Sequence, residues 1–338
     1  MSIKIAVLMP CDSTFKIFIT PLIKTELSKI GEVLYNNSGY DPSVMMEMLK
    51  DADVCITGWG CPSLDEYILS EASKLRLVVH TGGSVAAIVS PSLIKRNIPV
   101  ISGNELYAES VAEGTLAYML AGLRQIPLYN NLVQNGEWRP EGYGTKGLLD
   151  RNVGLVGFGA ISRYLVPLLK PFNVKIMVHS KHLSDEECTS YEMIRAGSLE
   201  EIFSWSDVLS LHMARTTETY HVINKDILKL MPDGALLVNT ARGSVVDEQA
   251  LADELCSGRI YAVLDVFEEE PLPKNSRLRG LDNVILIPHM AGPTGDRYER
   301  VSLALLDDIR RFISGENPKL LIDAEHAVRM TNDTLKLD

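Results

Sequence analysis

Three side chains late in this chain, Arg242, Glu270 and His289, are of the types that hold a small acid and move its proton. Each lies in a distinctive phrase: "LVNTARGS", "LDVFEEEPLP" and "IPHMAGPT". A guanidinium stays charged at every working pH and grips a carboxylate through two parallel hydrogen bonds. It also polarises a neighbouring carbonyl. An imidazole titrates near ~6.5, so it can give or take a proton near neutrality. Hydride delivered to a carbonyl carbon leaves an alkoxide that needs such a proton. A carboxylate on the far ring nitrogen would fix the tautomer and favour the charged, acid form, and Glu270 is the candidate. Singly, each residue has a plainer reading: Arg242 as a helix cap, His289 as a satisfied core histidine, Glu268 to Glu270 as a solvated acidic run. Their joint placement favours chemistry on a 2-oxo or 2-hydroxy acid.

That placement depends on the elements around them. From Asn152 onward, short apolar runs alternate with helical stretches: "VGLVGF", "VKIMVH", "SDVLSLH", "GALLVNT", "IYAVLDV" and "VILIPH" predict strands, and "AISRYLVPLLKPF" and "DEQALADELCSG" predict helices. Such alternation predicts a doubly wound parallel sheet, with ligands beyond the carboxyl ends of its strands. The phrase "VGLVGFGAIS" places Gly157, Gly159 and Ser162 at the three positions of GxGxxG, after a strand and at the start of a helix. Gly157 permits the tight turn and Gly159 the approach of a pyrophosphate. Ala160 and Ile161 open a helix whose unpaired N–H groups face the phosphates. An acidic residue for the ribose hydroxyls is expected at the end of the next strand, but the strand ends in His179, Ser180, Lys181 and His182. Ser180 and Lys181 suit a 2′-phosphate, so the cofactor expected is NAD(P), leaning to NADP(H).

The first hundred residues alternate in the same way, with strands at 4–9, 52–57 and 75–80 and helices at 21–30 and 63–72. A long helical stretch runs from about Glu105 to Asn135, kinked or broken at Pro127, and the glycine-rich segment 135–147 reads as a loop. Residues 297–316 have helical periodicity and can return to the first unit. At 338 residues the chain suits two domains. The net charge of −11 argues against a nucleic-acid partner and gives no reason to expect a membrane one. Five scattered cysteines fit the reduced thiols of a cytoplasm, and the spacing of Cys55 and Cys61 does not suit a metal.

The phrases above, with "TGGSVAAI" and "SVAEGTLAYML", resemble the D-isomer-specific 2-hydroxyacid dehydrogenases in order and spacing over essentially the whole chain. The resemblance implies an α/β protein of two doubly wound domains. One is a discontinuous, flavodoxin-like substrate domain over 1–102 plus 293–330, the other a Rossmann dinucleotide-binding domain over 103–292. It implies Arg242 on the substrate carboxylate and His289 as acid/base, paired with the glutamate that directly precedes proline, Glu270. It further implies Asp265 at the nicotinamide carboxamide, and His212 and Asn239, Thr240 and Ala241 beside the cofactor. The amides of Gly82, Gly83, Ser84 and Val85 would form a nest for the substrate carboxylate. An active site in a cleft, hinge closure and a homodimer built through the helical stretch after Glu105 are also implied.

The chain departs from the family pattern at Ser162, at the missing ribose acid, and at Ala214, where a proline is common. Two other readings stand beside the dehydrogenase. One is a phosphoglycerate dehydrogenase, some of which carry a C-terminal regulatory domain that does not fit here. The other is a non-catalytic, dinucleotide-sensing, corepressor-like module, for which "AVRMTNDTLKLD" offers no docking tail. Trp59, Tyr107, Met290 and Tyr298 are candidates for shaping the substrate pocket.

Overall fold

The computed structural model describes residues 3–141 and 144–334. In chain order the strands are β1 (Ile3–Pro10), β2 (Gly31–Asn36), β3 (Val54–Thr57), β4 (Leu77–His80), β5 (Val100–Ser102), β6 (Asn152–Val156), β7 (Lys175–His179), β8 (Ile194–Arg195), β9 (Val208–Leu211), β10 (Leu236–Asn239), β11 (Tyr261–Leu264), β12 (Val284–Leu286) and β13 (Leu321–Ile322). They form two sheets, in two units. One unit takes the chain up to Tyr107 and again from Pro293; the other is Ala108–Gly292.

The first unit holds the order β13-β5-β4-β3-β1-β2, parallel except for β13 against β5. The order 2-1-3-4-5 of its parallel strands is the flavodoxin-like winding. β3 and β4 are buried along their whole length, which is why they read as unbroken apolar runs rather than alternating ones. The helix Tyr298–Ser314 lays Val301, Leu305, Leu306 and Ile309 into one cluster with Ile5, Val7, Ile56 and Val79. Its buried Asp308 accepts the N–H groups of Lys319 (2.9 Å) and Leu320 (2.6 Å), which turns the chain into β13.

The second unit holds an all-parallel sheet in the order β12-β11-β10-β9-β6-β7-β8. Strand order reverses at β6, between β7 and β9, which is the switch point where a Rossmann sheet receives its ligand. Helix Ala160–Leu169 buries Leu165, Val166 and Leu169. Helix Glu248–Cys256 is capped by Asp247, whose side chain accepts from Ala250 N–H, and Gly258 beyond it adopts φ +75°.

Two expectations change, and the end of the chain adds elements not expected from the sequence. Residues 63–72 form turns, not a helix. The amide of Leu64 is taken by Ile88 O, and Asp65 accepts from Ile68 N–H, so the apolar spacing of Leu64, Ile68 and Leu69 is met without a continuous ladder. The long helical stretch divides into Asn104–Leu123 and Ile126–Gln134, and the break lies at Gln125 in the left-handed region. Pro127 therefore sits in the first turn of the second helix, where its missing N–H costs nothing. After residue 316 the chain adds β13 and a short helix, Ala324–Arg329. The expected loop 135–147 has neither helix nor strand at its described residues; 142 and 143 lie outside them, as do 335–338 of the final segment.

Candidate active site

In the second unit, five neighbouring parallel strands end along one edge, and each delivers a phrase noted in the sequence. β6 leads into Gly157, β9 into His212, β10 into Asn239 to Arg242, β11 into Asp265 and β12 into His289. A parallel sheet gathers residues far apart in sequence in this way, because each crossover returns to the same side before the next strand.

His289 Nδ1 lies 2.7 Å from Glu270 Oε2. His289 takes the left-handed conformation at φ +52°, held by its own N–H on Asp265 O at 2.8 Å. The hydrogen bond to Glu270 raises the imidazole above its ordinary value; burial and the Arg242 charge oppose it without prevailing. Burial pushes the Glu270 carboxyl up, but the His289 hydrogen bond, the Phe267 N–H at 3.1 Å and the charges of His289 and Arg242 leave it below its ordinary value. The pair is about half exposed, so these charges are partly screened by water.

Asp265 is buried, and both of its oxygens work on the turn after His289. Oδ1 accepts Met290 N–H (2.7 Å) and Oδ2 accepts Ala291 N–H (3.0 Å), with Tyr118 hydroxyl 3.4 Å from Oδ1. Asn239 shapes the turn that ends at Arg242, donating to Arg242 O (3.0 Å) and accepting Ala241 N–H (3.0 Å). Thr240 Oγ1 meets Thr115 Oγ1 at 3.0 Å. The Arg242 guanidinium donates to Ala241 O at 2.7 Å. A Cβ on Gly243 would stand 1.9 Å from Phe267 C and 2.4 Å from Glu268 N. Glycine there lets the Arg242 turn pass directly against the loop that carries Glu270.

The glycine-rich turn suits a dinucleotide on several counts. Gly157 stands at φ +103°, and a Cβ there would meet His212 O at 2.6 Å. Gly159 caps the helix Ala160–Leu169 without a side-chain bond and opens onto space, so the first amides of the helix lack an internal cap. Ser162, fully buried, donates its hydroxyl to Gly157 O at 2.8 Å and closes the turn from within. His212 has both ring nitrogens buried without a partner, and burial pushes it down to about 4, so the ring is neutral near pH 7. Buried orphan nitrogens beside such a turn fit a ligand that completes them. Ser180 follows β7 at partial exposure, and Lys181 beyond it is ion-paired with Glu218 at 2.5 Å.

In the first unit, the turn Gly82 to Val85 follows β4. None of its four amides donates to another group among the described residues. The Ser84 hydroxyl is engaged on Thr331 O at 2.5 Å. Trp59 stands edge-on to Phe18, Tyr107 and Tyr298, and its Nε1 is 2.8 Å from where a Gly82 Cβ would be. Met290 is well exposed.

Reading residue by residue did not find Tyr118 on Asp265, Thr115 on Thr240, the Lys181–Glu218 pair, or a second histidine–carboxylate contact, His221 with Glu268. All join distant positions. Only Gly243, beside Arg242 in "TARGS", carried a local signal.

Residues 116–291 match the family model described as D-isomer specific 2-hydroxyacid dehydrogenase, NAD binding domain. The chain belongs to that family. It is an oxidoreductase of 2-hydroxy acids that works with NAD(P). A glyoxylate reductase of Thermococcus litoralis is 33% identical over 329 residues, covering 92% of this chain and 97% of that one. A D-3-phosphoglycerate dehydrogenase of Methanocaldococcus jannaschii is 31% identical over 307 residues, covering 90% of this chain but only 57% of the longer relative. Among solved structures, an NADPH-dependent glyoxylate/hydroxypyruvate reductase of Sinorhizobium meliloti shares the fold at TM-score 0.79 and 24% identity, covering 98% of this chain and 100% of the other. No helix among the described residues is long and apolar enough to cross a membrane.

Proposed function

We propose that this enzyme reduces a small 2-oxo acid to the D-2-hydroxy acid, with Arg242, Glu270 and His289 as its working residues. The observation that carries the reading is the His289–Glu270 hydrogen bond, 2.7 Å long, at the strand ends that also present Arg242. A nicotinamide dinucleotide supplies or accepts the hydride when bound. Arg242 binds the substrate carboxylate and polarises the adjoining carbonyl. His289 gives its proton to the carbonyl oxygen, and Glu270 keeps the ring charged and turned. In the reverse direction neutral His289 takes the hydroxyl proton. In the first unit, the amides of Gly82 to Val85, which donate to no group among the described residues, form a nest suited to a carboxylate.

Gly157, Gly159, Ala160 and Ile161 hold the pyrophosphate, while His212, Asn239 to Ala241 and Asp265 line the remainder of the cofactor. NADPH is favoured over NADH, because Ser180 and Lys181 stand where a ribose-binding acid would. Phosphoglycerate is a second substrate to assay, on the relation to the longer dehydrogenase. The protein forms a homodimer. Helix Ile126–Gln134 buries none of its residues, and Ile126, Val133 and nearby Trp138 are exposed, a face suited to a second copy.

A steady-state screen of glyoxylate, hydroxypyruvate, pyruvate, bulkier 2-oxo acids and D-3-phosphoglycerate with both cofactors tests the activity. His289→Ala should lower kcat by about 10²–10⁴-fold, the usual contribution of a general acid. Full activity in that variant would overturn the role given to His289.

A further inference from the structure

Between the Arg242 turn and the Glu270 loop lies a contact set that the reaction itself does not use. His221 is held in the left-handed region at φ +48°. Its N–H donates to Ser244 O at 2.9 Å, two residues past Arg242. The same segment continues against the Arg242 turn, with Ile223 N–H on Val245 O (3.1 Å) and Asp247 N–H on Ile223 O (3.0 Å). The His221 ring is stacked on Tyr220 with centroids 4.0 Å apart and presents Nε2 to Glu268 Oε1 at 2.5 Å, a close approach not aligned as a hydrogen bond. Glu268 lies two residues before Glu270. Its Oε1 also accepts Glu248 N–H at 3.0 Å, and Glu248 Oε2 accepts Glu268 N–H at 3.0 Å. These reciprocal bonds fasten the loop to the first turn of helix Glu248–Cys256.

We infer that His221, Glu268 and Glu248 form a positioning bracket that sets the Arg242 turn and the Glu270 loop in register, acting on the reaction only through those two residues. His221 meets both segments at once, one through its backbone hydrogen bond and the other through the close approach of its ring. The Phe267 N–H that binds Glu270 belongs to the residue just before Glu268, so loosening Glu268 frees the aim of the Glu270 carboxylate. A solvated acidic run would not show reciprocal main-chain bonds. Nor would a merely structural knot need to join the two segments that carry the guanidinium and the carboxylate.

The inference rests on the roles proposed for Arg242, Glu270 and His289, and the test separates the two. The pH profile of 2-oxo acid reduction and the titration of the His289 ring, followed by NMR, are measured for wild type, Glu268→Ala, Glu268→Gln, His221→Gln and Glu270→Gln. Glu270→Gln should move both titrations to lower pH; if it moves neither, the reading of the site fails, not the bracket. Glu268→Ala should shift both in the same direction and lower kcat by about tenfold, a loss typical of slight misplacement. Glu268→Gln, which retains an acceptor for Glu248 N–H, should recover most of that loss. His221→Gln keeps the main-chain bonds and should show a smaller shift of the same sign, which carries the test if Glu268→Ala does not fold. Wild-type titrations in His221→Gln and in folded Glu268→Ala, beside a shifted Glu270→Gln, would overturn the bracket.

Discussion

At the scale of single residues, the hydrogen bond from His289 to Glu270 decides how the enzyme meets pH. The imidazole is raised above its ordinary value in the folded chain. On the role proposed for His289, reduction uses the charged ring, so its rate should fall with rising pH only above the ordinary histidine range, while oxidation should rise across the same window. The sign for folding agrees. A raised histidine contributes stability that is complete below its unfolded value and lost as pH climbs through the folded one, and the half-exposed pair makes that contribution small. Glu270→Gln should carry the limb of the rate profile toward acid pH; a limb left in place would remove Glu270 from its role. Lys181 and Glu218 make a second prediction, because their pairing leaves the lysine charge partly answered before any cofactor arrives. Lys181→Gln should weaken NADPH binding by about tenfold, one charge-assisted bond, and leave NADH nearly untouched. Glu218→Gln should tighten NADPH alone. Calorimetric titration of both cofactors reads the outcome, and equal changes for the two would end the NADPH preference proposed.

At the scale of elements, the close pass at Gly243 is the tightest constraint on the site. Gly243→Ala would press a methyl into the Phe267 carbonyl carbon, which is main chain and cannot swing aside. We expect about 1–3 kcal/mol lost in a thermal melt, with a fall in kcat/KM, and an unchanged melt would refute the contact. The same scale shows what could be read beforehand. Strands such as Val208–Leu211 and Leu236–Asn239 are buried on both faces, so their apolar runs announced themselves, and Arg242 and His289 followed as residues just past a strand end. Residues 63–72 misled because apolar spacing was satisfied by turns tied to Ile88. β13, two residues long, has no period to detect and exists through Asp308 and its pairing with β5. The bracket around His221 was equally hidden, since its partners lie 20 or more residues away and no local pattern joins them.

At the scale of the whole molecule, two predictions concern assembly and ligand linkage. Sedimentation should give twice the chain mass, and Ile126→Glu with Val133→Glu should halve it, since charge on an apolar contact face opposes association. A monomeric wild type at micromolar concentration would discard the dimer. Saturating NADPH should raise the melting temperature, about 2.7 kcal/mol at a hundred times its dissociation constant, and Gly157→Ala should abolish the rise. One more consequence follows from where the chain crosses between units, leaving the first after Tyr107 and rejoining it at Pro293. A ribosome makes β1 to β5 before the Ala108–Gly292 stretch, yet helix Tyr298–Ser314 and β13, which pack with those strands, emerge only after it. The interrupted unit is thus begun before the Ala108–Gly292 stretch and completed after it, and its apolar face needs shelter until helix Tyr298–Ser314 has emerged.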